Sequence, residues 1–200
     1  MSSKDFRRVP SLFLAGHPAL DFLNTQRKRD NGLVDLLRSD EDVLVWFRQA
    51  GFPAPAIDDE LKPLNLLRSA RALRESIRSV IESRKGGRRG DPSALNKFLA
   101  AGCGYPQLVW SKPNKLRTEI VRRVDSVESI FAPVAEGVVD LLTTGDFDLV
   151  KRCEDQTCIR WFLDQTKSHR RRWCSMELCG NRHKVAAYRA RRRDQSVSSQ

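Results

Sequence analysis

Apolar residues recur every three or four positions from Leu61 through Leu64, Leu67, Ala70, Leu73, Ile77 and Val80 to Ile81. Such a stripe predicts a long amphipathic helix with one face in a core. The run Gly86, Gly87, Arg88, Arg89, Gly90 ends it, because clustered glycines favour a loop. Upstream, Ser39 followed by Asp40, Glu41 and Asp42 sets a cap and negative charge at a helix start, where free backbone N–H groups welcome both. Val43, Leu44 and Phe47 give that helix an apolar side, and Gly51 with Pro53 stops it. Asp91 and Pro92 open a short helix through Phe98. A last apolar series, Val127, Ile130, Phe131, Val134, Val138, Leu141 and Leu142, predicts a helix bent at Pro133 and closed near Gly145. The period shortens in one place. Gln107 to Trp110 and Leu116 to Val121 flank Lys112, Pro113 and Asn114, the pattern of a two-stranded hairpin. The expected fold is therefore mainly α with a small β-hairpin.

Every apolar run is interrupted by charge or proline before it could span a bilayer. The opening MSSKDFRRVPSLFLAGHP lacks the apolar core of a secretory signal. Both features point to a cytosolic protein without a membrane partner, and no internal repeat is visible.

Charge is uneven. The 36 Lys and Arg against 25 Asp and Glu leave +11. From Lys151 onward there are 13 basic and 5 acidic residues, so +8 sits in the last quarter. We therefore divide the chain into a helical domain, residues 1–148, and a short basic module, residues 149–200. Some fifty residues bury too little apolar surface to fold unaided.

Four cysteines answer that need. Cys153 with Cys158 and Cys174 with Cys179 form two C-x4-C pairs. Two such turns supply a tetrahedral four-sulfur shell for one structural Zn2+, whose binding would contribute on the order of 10 kcal/mol of folding free energy. Two disulfides are the alternative, disfavoured in a reducing cytosol. A closed four-thiolate shell has no open position for substrate, so catalytic zinc is not expected. His169 and His183 are left out of the shell, and Cys103 reads as a small buried residue. The charge in excess of what four thiolates offset predicts a polyanionic partner, with nucleic acid first.

Within the module, Ile159 to Leu163 is β-prone and suggests a small hairpin, while Gly180 to Arg193 is rich in helix formers. A knuckle, a hairpin and a helix carrying the last ligand near its start make a treble-clef-like zinc finger. Cys179 at that start would have its thiolate favoured by backbone N–H groups, and Gly180 would let backbone approach the bound sulfur.

The segment CSMELCGNRHK, preceded by FLDQTKSHRRRWC, resembles the signature of the CGNR zinc-finger family. The N-terminal AGHPALDFLNT resembles the opening motif of the ABATE domain, common in actinobacterial proteins that carry this finger. The resemblance implies a zinc-dependent DNA-binding module in a bacterial stress-responsive transcription regulator. On that reading Arg182, Lys184, Arg189, Arg191, Arg192 and Arg193 meet phosphates from the terminal helix. Arg170, Arg171 and Arg172 do so from the approach to Cys174. Their alternative is a solvated basic tail. Asn181 is assigned to a structural role ahead of reading adenine, and Trp161 and Trp173 to the small core ahead of stacking on bases.

In the helical domain, His17, Asp21 and Asn24 fall at helical spacing behind Pro18 and define a candidate pocket for a small-molecule effector. The plainer reading has them satisfying a helix start and a buried turn. The basic loop SRKGGRRGDP lacks the order of a phosphate-binding loop and is read as a solvated connection. No acid, base or nucleophile motif argues for an enzyme. The leading expectation is a DNA-binding regulator. The alternative is a finger that docks RNA or protein, attached to a sensing domain.

Overall fold

The computed structural model describes residues 13–29, 32–52 and 65–197. In chain order they form α1 (Pro18–Leu23), β1 (Gln26–Arg29), β2 (Gly32–Asp35), α2 (Asp40–Gln49), α3 (Leu66–Lys85) and α4 (Ser93–Ala100). There follow β3 (Gly104–Lys112), β4 (Lys115–Arg122), α5 (Val127–Thr143), β5 (Val150–Arg152), β6 (Trp161–Leu163) and α6 (Asn181–Val197). The strands pair as three separate antiparallel hairpins, β1 with β2, β3 with β4 and β5 with β6. The expected mainly helical class with small hairpins is what is observed. The chain divides into one unit within residues 37–144 and another that joins residues 13–36 to 145–197. The second unit thus crosses the 148/149 boundary drawn from composition.

In the first unit, the Ser39 hydroxyl accepts from the Asp42 N–H at 3.2 Å and starts α2, and Gly51, at φ +77°, takes the left-handed conformation that ends it. Asp40 accepts the Leu67 N–H at 2.8 Å, tying the start of α2 to the first turn of α3. Leu66, Ala70, Leu73, Ile77 and Ile81 are the buried stripe of α3. Pro53, Leu61 and Leu64 lie outside the described residues. Ser126 caps α5 through the Ser129 N–H, and the Ser129 hydroxyl accepts in return from the Ser126 N–H. Pro133 sits inside α5. Phe131 on that helix centres an aromatic cluster, with ring centroids 5.4 Å from Phe47 and 6.1 Å from Phe98. Trp46 and Phe52 extend it around Phe47 at 5.6 and 5.7 Å.

The β3–β4 ribbon is longer than its sequence pattern suggested, pairing from Gly104 opposite Arg122 to Lys112 opposite Lys115. Leu108, Trp110, Leu116 and Ile120 on it are exposed. Cys103 is exposed too, which corrects the buried assignment: it follows the end of α4 and enters this solvent-facing ribbon. The β1–β2 hairpin was not anticipated. QRKR and GLVD show little alternation, and the available signal was the turn-prone run Asp30-Asn31-Gly32.

The aromatic cluster and the ribbon should respond oppositely to truncation. Phe131→Ala should lower unfolding free energy by about 3–5 kcal/mol through lost burial and a cavity. Leu108→Ser should change it by no more than about 0.5 kcal/mol. Urea denaturation followed by fluorescence and circular dichroism compares the two.

Candidate metal centre

The first cysteine pair occupies the turn of the β5–β6 hairpin. β5 leads into Cys153, whose N–H donates to the Arg160 carbonyl at 2.9 Å and so extends the ladder beyond the Arg152–Trp161 pair. Asp155 shapes the turn between the strands. Its Oδ1 accepts the Thr157 N–H at 2.8 Å and the Thr157 hydroxyl at 2.6 Å, while its carbonyl accepts the Cys158 N–H at 2.8 Å. Cys158 is thereby folded back toward Cys153. The partner of Trp161–Leu163 is β5, which precedes Cys153, so the hairpin wraps the first pair and does not lie wholly between the two pairs.

The second pair is set by Ser175. Its hydroxyl accepts the Leu178 N–H at 3.4 Å, and its carbonyl accepts the N–H groups of Cys179 and Gly180 at 3.1 and 3.0 Å. This wide turn, Met176–Gly180, returns Cys179 to Cys174 and hands the chain directly to α6. Cys179 lies just before the helix, as expected. The tight approach at Gly180 is different from the one expected: an added Cβ would lie 2.7 Å from the Met176 sulfur and 3.3 Å from Trp173, with no metal ligand among its nearest neighbours.

All four cysteine sulfurs lie within 4.8 Å of one another. Cys158 and Cys174 are 3.9 Å apart, and Cys174 and Cys179 are 3.6 Å apart. Disulfide sulfurs would be about 2.05 Å apart. A tetrahedral ion with Zn–S bonds of about 2.3 Å has sulfur–sulfur edges of about 3.8 Å. The observed separations fit the tetrahedron. Cys153, Cys174 and Cys179 are buried and Cys158 partly so, leaving the shell closed. Four crowded thiols cannot all ionise by themselves. The hydrogen bond with Cys158 pulls the Cys153 thiol far down, and the hydrogen bond with Cys153 pushes Cys179 far up. A bound dication supplies the charge that lets all four become thiolates. The Cys174 N–H donates to Cys153 Sγ at 3.4 Å, and buried Arg160 brings Nη1 to 4.0 Å from Cys174 Sγ. This is a structural site for one zinc ion.

Around it, several charged groups serve the scaffold. Asp164 is fully buried and accepts from Lys151 Nζ at 2.8 Å, the Thr166 hydroxyl at 2.7 Å and the Arg171 N–H at 2.8 Å. Burial works against its charge, but these donors outweigh it and hold the carboxyl well below the usual carboxylate range. Arg171, expected to face phosphate, instead donates to the carbonyls of Leu14, Trp173 and Cys174 and lies 4.4 Å over the Phe162 ring. Its fork matches carbonyls left over by loops, which corrects its assignment as a surface contact. Arg172 pairs with Glu154 at 2.6 Å and lies over Trp173. Arg182 reaches Asp155 at 3.2 Å and the Thr157 hydroxyl at 2.8 Å. Arg170, Lys184, Arg189, Arg191 and Arg192 are exposed, while the side chain of Arg193 lies outside the described residues. Trp161 is buried, Trp173 packs against the His183 ring at 4.6 Å, and Asn181 is exposed at the first position of α6.

The N-terminal motif belongs to this same unit. Asn24 donates to the Trp161 carbonyl at 2.8 Å and accepts the Trp161 N–H at 3.0 Å, acting as a strand partner for β6. Leu163 N–H donates to the Ala15 carbonyl at 2.7 Å. His17 caps α1 by accepting the Ala19 N–H at 3.2 Å. Asp21 accepts the Ala15 N–H at 2.9 Å, and burial raises its pKa to about 6 against the opposing pull of that bond and of Arg160 and Arg171. Each of the three residues named as a candidate effector pocket thus has a backbone partner.

The family model described as "ABATE: Putative stress-induced transcription regulator" matches residues 16–145, and the model "CGNR zinc finger" matches residues 150–192. No curated protein matches the chain.

Cys174→Ser should abolish stoichiometric zinc and unfold the finger while the helices of residues 37–144 persist, as read by metal analysis with circular dichroism. Stoichiometric zinc in that variant would contradict a four-cysteine site. Asp21 gives a pH test. Its folded pKa of about 6 exceeds the unfolded value of 3.8, so its stabilising neutral form is fully present below pH 3.8 and is lost as pH rises through 6. Asp21→Asn keeps an acceptor for Ala15 without that loss. Its stability advantage over the parent should therefore grow by on the order of 1 kcal/mol between pH 5 and 7.5 in urea titrations.

Proposed function

As the chain belongs to the ABATE family and carries a CGNR zinc finger, we propose that it is a cytoplasmic transcription regulator whose finger binds DNA. The observation that carries this reading is the row of exposed cations on α6. That helix leaves the zinc site immediately after Cys179 and presents Lys184, Arg189, Arg191 and Arg192 to solvent. A basic helix held at one end by a metal cross-link is stiff enough to lie along a groove, and its cations gain by displacing counterions from phosphates. Arg170 adds a further exposed cation on the approach to Cys174. Arg172 and Arg182 contribute more weakly, since each already has a carboxylate partner. The role is one of binding without catalysis: the four-thiolate shell keeps its ion from substrate. Among the described residues no helix is long and apolar enough to cross a membrane.

A second reading, docking of a protein, is favoured by Met176, Leu178, Val185 and Tyr188, which are exposed apolar side chains on the finger. Val185, Tyr188 and Arg192 follow one another at helical spacing, and Arg192 lies over the Tyr188 ring at 5.9 Å.

Fluorescence anisotropy of the zinc-loaded chain on a mixed-sequence duplex, across a salt series, separates these readings. DNA binding predicts affinity that falls steeply with salt and is lost on chelation. Replacing Arg189 and Arg192 together by Gln should flatten the slope by about 0.9 for each phosphate contact removed. Absence of binding at low salt would transfer the finger to the protein-docking role, and preferential competition by RNA would change the nucleic acid.

A further inference from the structure

An antiparallel sheet ordinarily turns its apolar side inward and its polar side to water, and the β3–β4 ribbon does the reverse. Pro106 lies opposite Ile120, Leu108 opposite Thr118 and Trp110 opposite Leu116, and strand alternation puts these six residues on one face. All six are exposed, Leu108 by 69 % and Trp110 by 67 %, and none is charged. The charges in the middle of the ribbon, Arg117 and Glu119, pair with each other on the opposite face, where Val109, Glu119 and Val121 are half-buried. At the base, half-buried Arg122 is tied to Glu136 at 2.6 Å.

Area and charge select what covers the apolar face. Leu108, Trp110, Leu116 and Ile120 together expose on the order of 500 Å², a patch of the size that marks interaction sites. A stable interface takes about 800 Å² from each partner, and homodimer interfaces are about two-thirds apolar. The patch supplies that share, and the edges of the ribbon supply the polar remainder. An uncharged face gives a polyanion no cation to grip, whereas it is complementary to itself across a two-fold axis. Pro106 has no N–H to donate, so β3 is a poor edge for strand addition and the face is the better contact. Lys112 and Lys115 lie opposite each other at the tip. An axis through the Leu108–Thr118 pair sets the bulky Trp110–Leu116 end of one copy over the Pro106–Ile120 end of the other. It also holds the two lysine tips roughly 25 Å apart, from the strand rise per residue, which is well beyond the screening length of about 8 Å.

We infer that this face is a homodimer interface, packed on the same face of a second copy of the chain. Two copies so joined carry two zinc fingers in one particle. The inference stands apart from the DNA-binding reading, since none of the six residues belongs to the finger.

Sedimentation velocity of the full zinc-loaded chain over a micromolar concentration series tests it. The parent should pass from monomer to dimer, and its tryptophan fluorescence should shift to shorter wavelength and lose access to acrylamide as Trp110 leaves water. Trp110→Ser/Leu116→Ser should weaken self-association by about 30-fold or more, while Gln107→Ser on the opposite face should leave it unchanged. Zinc content and circular dichroism should match the parent throughout, because no side chain replaced is buried within one chain. Leu108→Lys serves if the double variant folds poorly: it puts two ammonium groups at the axis and should leave a monomer. The small stability effect expected of Leu108→Ser refers to the monomer, so its urea titration is run where the parent is dissociated. A parent that stays monomeric at every concentration overturns the interface, and so does a dimer that persists in either folded variant. A monomeric parent that sediments with phosphatidylcholine vesicles, and does so only with Trp110 present, assigns the face to lipid and likewise overturns it. Duplex binding by the finger is read separately by anisotropy, so the two readings fail independently.

Discussion

The second unit depends on bringing four sulfurs to one point. Four thiolates repel one another and hold together only around a cation. Their ion joins the hairpin turn that carries Cys153 and Cys158 to the capped turn that carries Cys174 and Cys179. Among the described side chains of residues 145–197 few aromatic or aliphatic ones are buried, chiefly Phe147, Val150, Trp161 and Phe162. A cross-link of that strength therefore replaces much of the core that so short a stretch cannot build. Placement of α6 follows, because its first residue comes two after the last sulfur ligand.

Buried polar groups complete what the ion begins. Asp164, without exposure, gathers Lys151, Thr166 and the Arg171 backbone, and Arg171 in turn satisfies carbonyls from both ends of the unit. Asn24 pairs with both backbone groups of Trp161. In an interior this small such partners matter, since an unmade buried hydrogen bond costs about 1–3 kcal/mol. The AGHPALDFLNT motif thereby contributes a short helix and flanking loop whose Ala15 and Asn24 bond to β6.

The basic residues divide by the same logic. Those near the sulfurs, Arg160, Arg171 and Arg182, offset thiolate and carboxylate charge or tie loops together. Those further along α6 face water. The net +8 of the C-terminal quarter is thus the sum of a scaffold and a surface, and only the second part is available to a polyanion without rearrangement.

By itself the sequence determined the main helices, the β3–β4 hairpin, one strand of the finger hairpin, the four ligands and the family motifs. These are local properties: apolar periodicity, capping residues and the spacing of two cysteines across one turn. Tertiary structure decided what depends on partners far away along the chain. Arg171 could not be told from Arg170 by spacing, because the difference lies in the Leu14 and Cys174 carbonyls that one of them reaches. Asn24 and Trp161 are separated by 137 positions, and Arg27 shares a cavity with Arg182. A charged side chain acquires its role from whichever unsatisfied group the fold places within about 3 Å of it, and that distance is written in no single stretch of sequence.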